Sequence, residues 1–281
     1  MGAKRKKNLL QNFQTIENLY KANEEELLKV DGIGKSLAKA IVDSKQECKL
    51  DKHIEFMIKH GVDIVSIDDK EYPKILKNIY DPPISLYILG NKEILNKPSI
   101  AIVGCRECTL YGKNVAYELG YNLAKENFCI VSGLAKGIDG AAHKGVVSAQ
   151  GNTIAVLGNG LDTMYPTENI PLAKQILKTG GAIISEYPLG EKPQKQNFPE
   201  RNRIVSGLSK GLIVVEAKEK SGTLITVDFA LEQGRDVFVV PGNISSINSY
   251  GTNDLIKQGA KLIASYKDVI EEYKEIKWII T

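Results

Sequence analysis

Over the last two thirds of the chain, apolar residues come in short unbroken runs. Six of these, at positions 100–103, 129–131, 153–157, 182–185, 212–215 and 237–240, are three to five residues long and end near glycine or a polar residue. Their length and abrupt ends predict strands. The stretches between them change period. In 112–126 the residues Val115, Leu119 and Leu123 fall on one helical face, and 137–149, 168–178 and 223–232 also read as helices. Strand, turn, helix, repeated in this way, predicts an α/β fold with an open, mostly parallel, Rossmann-like sheet and right-handed crossovers. The tail over 254–265 and 268–274 adds one helix, a short strand and a last helix to complete the pattern.

The first sixty residues carry the helical period alone. Leu9, Leu10, Phe13, Ile16 and Leu19 recur at helical spacing, and Asn23 is a natural N-cap for a short helix through Leu27, Leu28 and Val30. Asp31-Gly32-Ile33-Gly34-Lys35 then leads into a second helix with Leu37, Ala38 and Ile41 apolar, and 52–60 forms one more before Gly61. Lys4 to Lys7 reads as a basic, solvated arm. Residues 61–98 bridge the two patterns: strands are expected at 62–67 and 85–89, with turns at Tyr72-Pro73 and Asp81-Pro82-Pro83. The expected division is a small helical domain over 1–61 and a Rossmann-like domain over 62–281.

Composition narrows the function classes. The chain has 281 residues and a net charge of only +3, so any polyanion-binding surface must come from local clustering. Four cysteines without a signal-peptide pattern predict reduced thiols and a cytoplasmic setting. No apolar run approaches the roughly 18 residues of a membrane span, so no membrane is expected as a partner.

Candidate chemistry gathers at the predicted strand ends. Gly104 and Arg106 follow the first run, Ser132, Gly133, Lys136 and Gly137 the second, Gly158-Asn159-Gly160 the third, and Lys220, Ser221 and Gly222 come after the run at 212–215. Backbone N–H groups at such turns form anion sites, and open sheets bind ligands at this edge. Lys192, Lys195, Arg201 and Arg203 add charge from the loop QNFPERNR and its surroundings, where Phe198 stands alone among polar residues beside Asn202. That ring is either a lid packed on the domain or a stacking platform for a base. Neither G-x-G-x-x-G nor a P-loop is present. Cys105-x-x-Cys108 lacks a second ligand pair for zinc, and Asp139 reads as a first-turn carboxylate favoured by the helix dipole. No cofactor, metal site or enzymatic activity is expected.

Taken in order, Val103-Gly104-Cys105-Arg106, Tyr111-Gly112, Ser132-Gly133-Leu134-Ala135 with Gly137-Ile138-Asp139 and His143, the stretch 198–203 and the stretch 221–226 resemble the DNA-processing protein A family (DprA, or Smf) of bacterial natural transformation. Cys105 stands where that family usually has Ser or Thr. The resemblance implies a protein that binds single-stranded DNA, protects the incoming strand and helps load the recombinase RecA. It implies strand contacts by the loop Lys195 and Phe198 and by Arg106. Asn253, Leu255, Ile256 and Leu262 fall where the family self-associates, which implies a homodimer. Gly32, Gly34 and Lys35 resemble a helix-hairpin-helix motif, whose amides hold a DNA phosphate; a plain helical hairpin is the alternative. The C-terminal winged-helix domain of many members is expected to be absent. A nucleotide-binding or phosphoribohydrolase-like site is the competing reading, although Pro241-Gly242-Asn243 does not reproduce its Pro-Gly-Gly-x-Gly-Thr turn.

Overall fold

The structure, a computed structural model, describes residues 3–46 and 50–274. The chain divides into two compact units, Met1–His60 and Gly61–Thr281. The first contains α1 (Ala3–Phe13), α2 (Ile16–Lys21), α3 (Glu24–Leu28), α4 (Lys35–Gln46) and α5 (Leu50–His60). Asn23 caps α3 with a reciprocal bond pair to Glu26. Leu9, Ala22, Leu27, Val30, Ile33 and Ala38 close a small core of their own. Residues 4–7, expected as a loose arm, are part of α1.

The second unit is built on a nine-stranded sheet. In chain order its elements are β1 (Val62–Ser66), α6 (Lys74–Lys77), β2 (Ser85–Gly90), β3 (Ser99–Val103), α7 (Leu110–Lys125), β4 (Cys129–Ser132), α8 (Ile138–Ser148) and β5 (Thr153–Leu157). Then follow α9 (Ile170–Lys178), β6 (Ala182–Ser185), α10 (Asn197–Gly207), β7 (Gly211–Val214), α11 (Gly222–Glu232), β8 (Asp236–Val239), α12 (Tyr250–Lys257), β9 (Lys261–Leu262) and α13 (Tyr266–Lys274). The spatial order is β1-β2-β6-β5-β4-β3-β7-β8-β9. From β6 to β9 every pairing is parallel, while β1 and β2 extend the edge antiparallel.

The unbroken apolar runs have a direct cause. Ile100 and Ile102 enter one core with Ala116, Leu119 and Leu123 of α7, whereas Ala101 and Val103 enter the other with Ile204 and Val205 of α10. Both faces of β3 are covered, so neither can be polar. The chain leaves β3 in one direction for β4, β5 and β6, and later returns on the other side for β7, β8 and β9. The switch point therefore lies between β3 and β7, and its carboxyl end is where such a sheet takes a ligand. Among the described residues, no helix is long and apolar enough to cross a membrane.

Candidate nucleic-acid interface

The turn after β3 is held against the turn after β4 by close backbone approach. Gly137 has φ +80°, and a β-carbon there would come within 2.3 Å of the Cys105 carbonyl oxygen. A β-carbon at Gly104 would meet the Ile138 side chain at 2.6 Å. These glycines let the two turns pack together and leave Arg106 exposed above them. Its guanidinium carbon lies 5.2 Å from the centre of the Phe198 ring, within cation–π range. Phe198 in turn rests on Gly158, where a β-carbon would sit 3.1 Å from the ring. Tyr165 stands 5.6 Å from the same ring, tilted by 37° and 42% exposed. Arg106, Phe198 and Tyr165 thus form one row at the carboxyl ends of β3 and β5. Lys195 is exposed just before α10. Lys136 is exposed too, and is ion-paired with Glu168.

Phe198 was expected in a loop and is instead the second residue of α10. Pro199 in the first turn is compatible with helix, because its missing N–H has no intrahelical partner there. The helix start fixes the ring on its row more firmly than a loop would.

Directly beneath the row, the polar residues are spent on one another. The Ser132 hydroxyl donates to the Ile102 carbonyl at 2.6 Å. Asp139 accepts the Gly133 amide at 3.1 Å and the Ala135 amide at 3.4 Å, and Asn169 donates to the Leu134 and Ala135 carbonyls. Burial pushes the Asp139 carboxyl up, against the opposing pull of Arg201, the two amides and Arg106. Arg201 is buried and donates to the Gly133 and Val156 carbonyls and, through Nε, to Asn202 Oδ1. Burial lowers its pKa to about 10. Arg203 is buried as well. It grips Glu186 through two bonds of 2.8 and 2.7 Å and reaches Asp81 at 3.2 Å. His143 Nδ1 lies 2.7 Å from the Thr153 hydroxyl, which donates to Ile130; Nδ1 therefore carries the proton. Desolvation, with the Arg201 charge behind it, lowers the His143 pKa to about 3.

The residues expected at the strand ends therefore separate into two groups. Arg106, Lys136 and Lys195 are exposed, with Phe198 and the turns at Gly104 and Gly137 half-buried beside them. Ser132, Arg201 and Arg203 lie inside with partners of their own, and the Gly133 amide is committed to Asp139. Arg203 has its guanidinium committed to Glu186 and Asp81, and Arg201 is enclosed at 3% exposure; at i and i+2 the two side chains leave opposite sides of α10, and both are buried. On the far side of the switch point, Lys220 and Gly222 are exposed, and Ser221 stands at the N-cap of α11 with its hydroxyl buried.

Sequence reasoning missed two residues here. Tyr165 is the third member of the row; an aromatic in the loop after β5, five residues past the glycine-rich turn, was its signal. Glu216 is 3% exposed and accepts from both the Thr109 amide and hydroxyl, capping α7 from the end of β7. An acid ending a buried apolar run was the trace it left. Glu216, Thr109 and Tyr111 line a cavity of about 500 Å³ with Pro241, Asn243 and Ser249.

Cys105 is buried and Cys108 partly so, and burial raises both thiols, opposite to what a reactive pair needs. Among the described residues no cluster of His, Cys, Asp and Glu suits a metal ion. The apolar positions read as a self-association patch are mostly internal. Leu255 is in the core, Ile256 packs against it and Ile263 is 1% exposed, leaving Leu262 at the surface; Asn253 exchanges two bonds with the Gly242 backbone. In the first unit Gly32 has φ +81°, Gly34 is open to solvent and Lys35 begins α4, the backbone of a tight helical hairpin.

Residues 63–274 match the family model described as DNA recombination-mediator protein A, and residues 1–50 match a helix-hairpin-helix motif. DNA processing protein DprA of Bacillus subtilis is 46% identical over 228 residues, 81% of this chain and 76% of that protein. DprA of Streptococcus pneumoniae is 46% identical over 209 residues, 74% of this chain and 73% of that protein. The crystal structure of the pneumococcal protein superposes with a TM-score of 0.83 at 37% identity, covering 96% of this chain and 93% of that one. DprA of Helicobacter pylori, whose structure describes a single-stranded DNA binding mode, aligns with a TM-score of 0.69 at 32% identity over 76% of this chain and 96% of its own. Fold, motif order and sequence agree on one conclusion: the chain belongs to the DprA/Smf family of DNA recombination-mediator proteins.

Proposed function

We infer that the protein binds single-stranded DNA in the cytoplasm, protects an incoming strand during transformation and helps load RecA on it. The observation that carries this reading is the outward row of Arg106, Phe198 and Tyr165 at the carboxyl edge of the sheet, with Lys136 and Lys195 beside it. Stacking of bases on aromatic rings with cations on the backbone is how single strands are held without regard to sequence. The family and the Helicobacter pylori relative support the same partner. No catalytic step is required: Asp139 and His143, spaced i, i+4 on α8, are both buried, and the Asp139 carboxylate is held by the Gly133 amide. Homodimerisation and RecA contact belong to the same reading, with Leu262 the exposed apolar residue of the Asn253, Leu255, Ile256 and Leu262 set.

The cavity over Glu216 favours a second reading, a nucleotide or phosphoribohydrolase-like small-molecule site. Thermal shift against free nucleotides and against oligothymidine separates the two. Stabilisation by oligothymidine that fades steeply with salt supports strand binding; stabilisation by a nucleotide alone supports the small-molecule site.

A further inference from the structure

At the amino end of the sheet, opposite the row, lies a cavity of about 420 Å³. Four of its nine lining residues are lysines, Lys70, Lys74, Lys97 and Lys210, and none is a carboxylate. The fold brings them together from three distant segments. Lys97 precedes β3 and Lys210 precedes β7, and these strands are neighbours in the sheet. Lys210 is tied in place by its amide, which donates to the Ser99 carbonyl at 2.9 Å. Lys74 opens α6 with its amide 3.2 Å from Asn96 Oδ1, while Asn96 Nδ2 donates to the Glu71 carbonyl.

The cavity lining carries one sign of charge, while Asp68, Asp69 and Glu71, in the loop with Lys70, lie outside it. All four lysines are exposed, and among the described residues none is ion-paired. Lys97 Nζ donates to Asn152, and Lys210 Nζ stands 6.0 Å over the Tyr273 ring; both contacts leave the ammonium charge uncompensated. The adjacent Asp69 carboxylate accepts the Ser66 amide at 2.7 Å and makes no ion pair with these lysines. On a chain with a net charge of +3, four unpaired cations around one concavity are a local field, and a cleft lined by one sign concentrates counter-ions. Ammonium groups on flexible stems suit phosphate as point charges and impose no geometry on the ligand.

We propose that this cavity is a second phosphate-binding site, taking the backbone of a nucleic-acid strand at the end of the sheet remote from Arg106 and Phe198. The proposal rests on the reading of the protein as a single-strand binder. Strands of four or five residues separate the two ends by about 13–17 Å. A short strand occupies the row alone, and a long one reaches both sites.

The test compares the wild-type chain with a variant carrying Lys70→Ala, Lys74→Ala, Lys97→Ala and Lys210→Ala. Oligothymidines of about 4 and about 40 nucleotides, bracketing ordinary single-strand site sizes, are titrated over a salt series, and inorganic triphosphate serves as a small phosphate probe. At about 0.7 per phosphate, the variant should lose about 1.4–2.8 from the salt slope for the long strand and nothing for the short one. An unchanged long-strand slope with lost triphosphate binding assigns the same phosphate chemistry to a soluble polyphosphate. If both long-strand slope and triphosphate binding are unchanged in a variant with wild-type Tm, there is no phosphate site in the cavity. Absence of short-strand binding by the wild type would instead contradict the proposed function, and the triphosphate arm still reads the cavity.

Discussion

Two arginines of this site have opposite environments. Arg106 is exposed over one face of Phe198, and Arg203, on the helix that carries Phe198, is sealed between Glu186 and Asp81. The same contrast runs through the site: an outer row of Arg106, half-buried Phe198 and Tyr165 lies at the surface, and an inner layer of Asp139, His143, Arg201 and Arg203 is buried. Charge alone does not mark a binding residue. A guanidinium whose donors already hold carbonyls or carboxylates stabilises the platform, and only an uncommitted one is free for a phosphate.

The largest effect should come from breaking the inner layer. Arg203→Met leaves Glu186 buried without its bidentate partner, and removal of one member of a buried pair costs about 3–5 kcal/mol. Urea unfolding should show this loss, while the surviving folded protein keeps its salt slope for oligothymidine. His143 supplies a pH signature of the same layer. Its pKa falls from 6.5 in the unfolded chain to about 3 in the folded one, so the unfolded state binds the proton more readily. That contribution to stability is complete above pH 6.5 and is lost as pH falls from 6.5 towards 3. His143→Asn should flatten the dependence of unfolding free energy on pH across this window.

The outer row should respond in binding and not in stability. Phe198→Ala should weaken oligothymidine binding roughly 5- to 150-fold, equivalent to losing one stacked base, with Phe198→Tyr mild and the salt slope unaltered. A sharp fall in Tm with intact affinity would assign the ring to packing. The smallest effect is expected at Lys136, whose exposed pairing with Glu168 competes with a phosphate. Glu168→Gln should raise affinity slightly and steepen the salt slope by about 0.7; a weaker complex would show that the pair holds the turn in shape.

The parallel sheet was readable because burial on both faces of β3 to β8 forces unbroken apolar runs, and burial leaves that trace wherever it occurs. The strand ends were readable from glycines such as Gly137, where close backbone approach admits no side chain. The split between inner and outer arginines was not, since Arg201 and Arg203 differ from Arg106 only in what the fold places around them. The start of α10 was hidden for a related reason: Asn197–Gly207 carries little apolar periodicity, and its helix is held by contacts from Ile204 and Val205 inward. Tyr165 and Glu216 depend on partners 33 and 107 residues away in sequence, Phe198 and Thr109, which no local pattern announces.

The central claim, that the outer row holds a single strand by stacking with phosphate neutralised alongside, is tested most directly at Arg106. Affinity of Arg106→Ala for oligothymidine is measured over a salt series beside the wild type, with Tm as control. The account predicts weaker binding, a salt slope lower by about 0.7 for one lost phosphate contact and an unchanged Tm. A folded variant with wild-type affinity and an unaltered slope would contradict it.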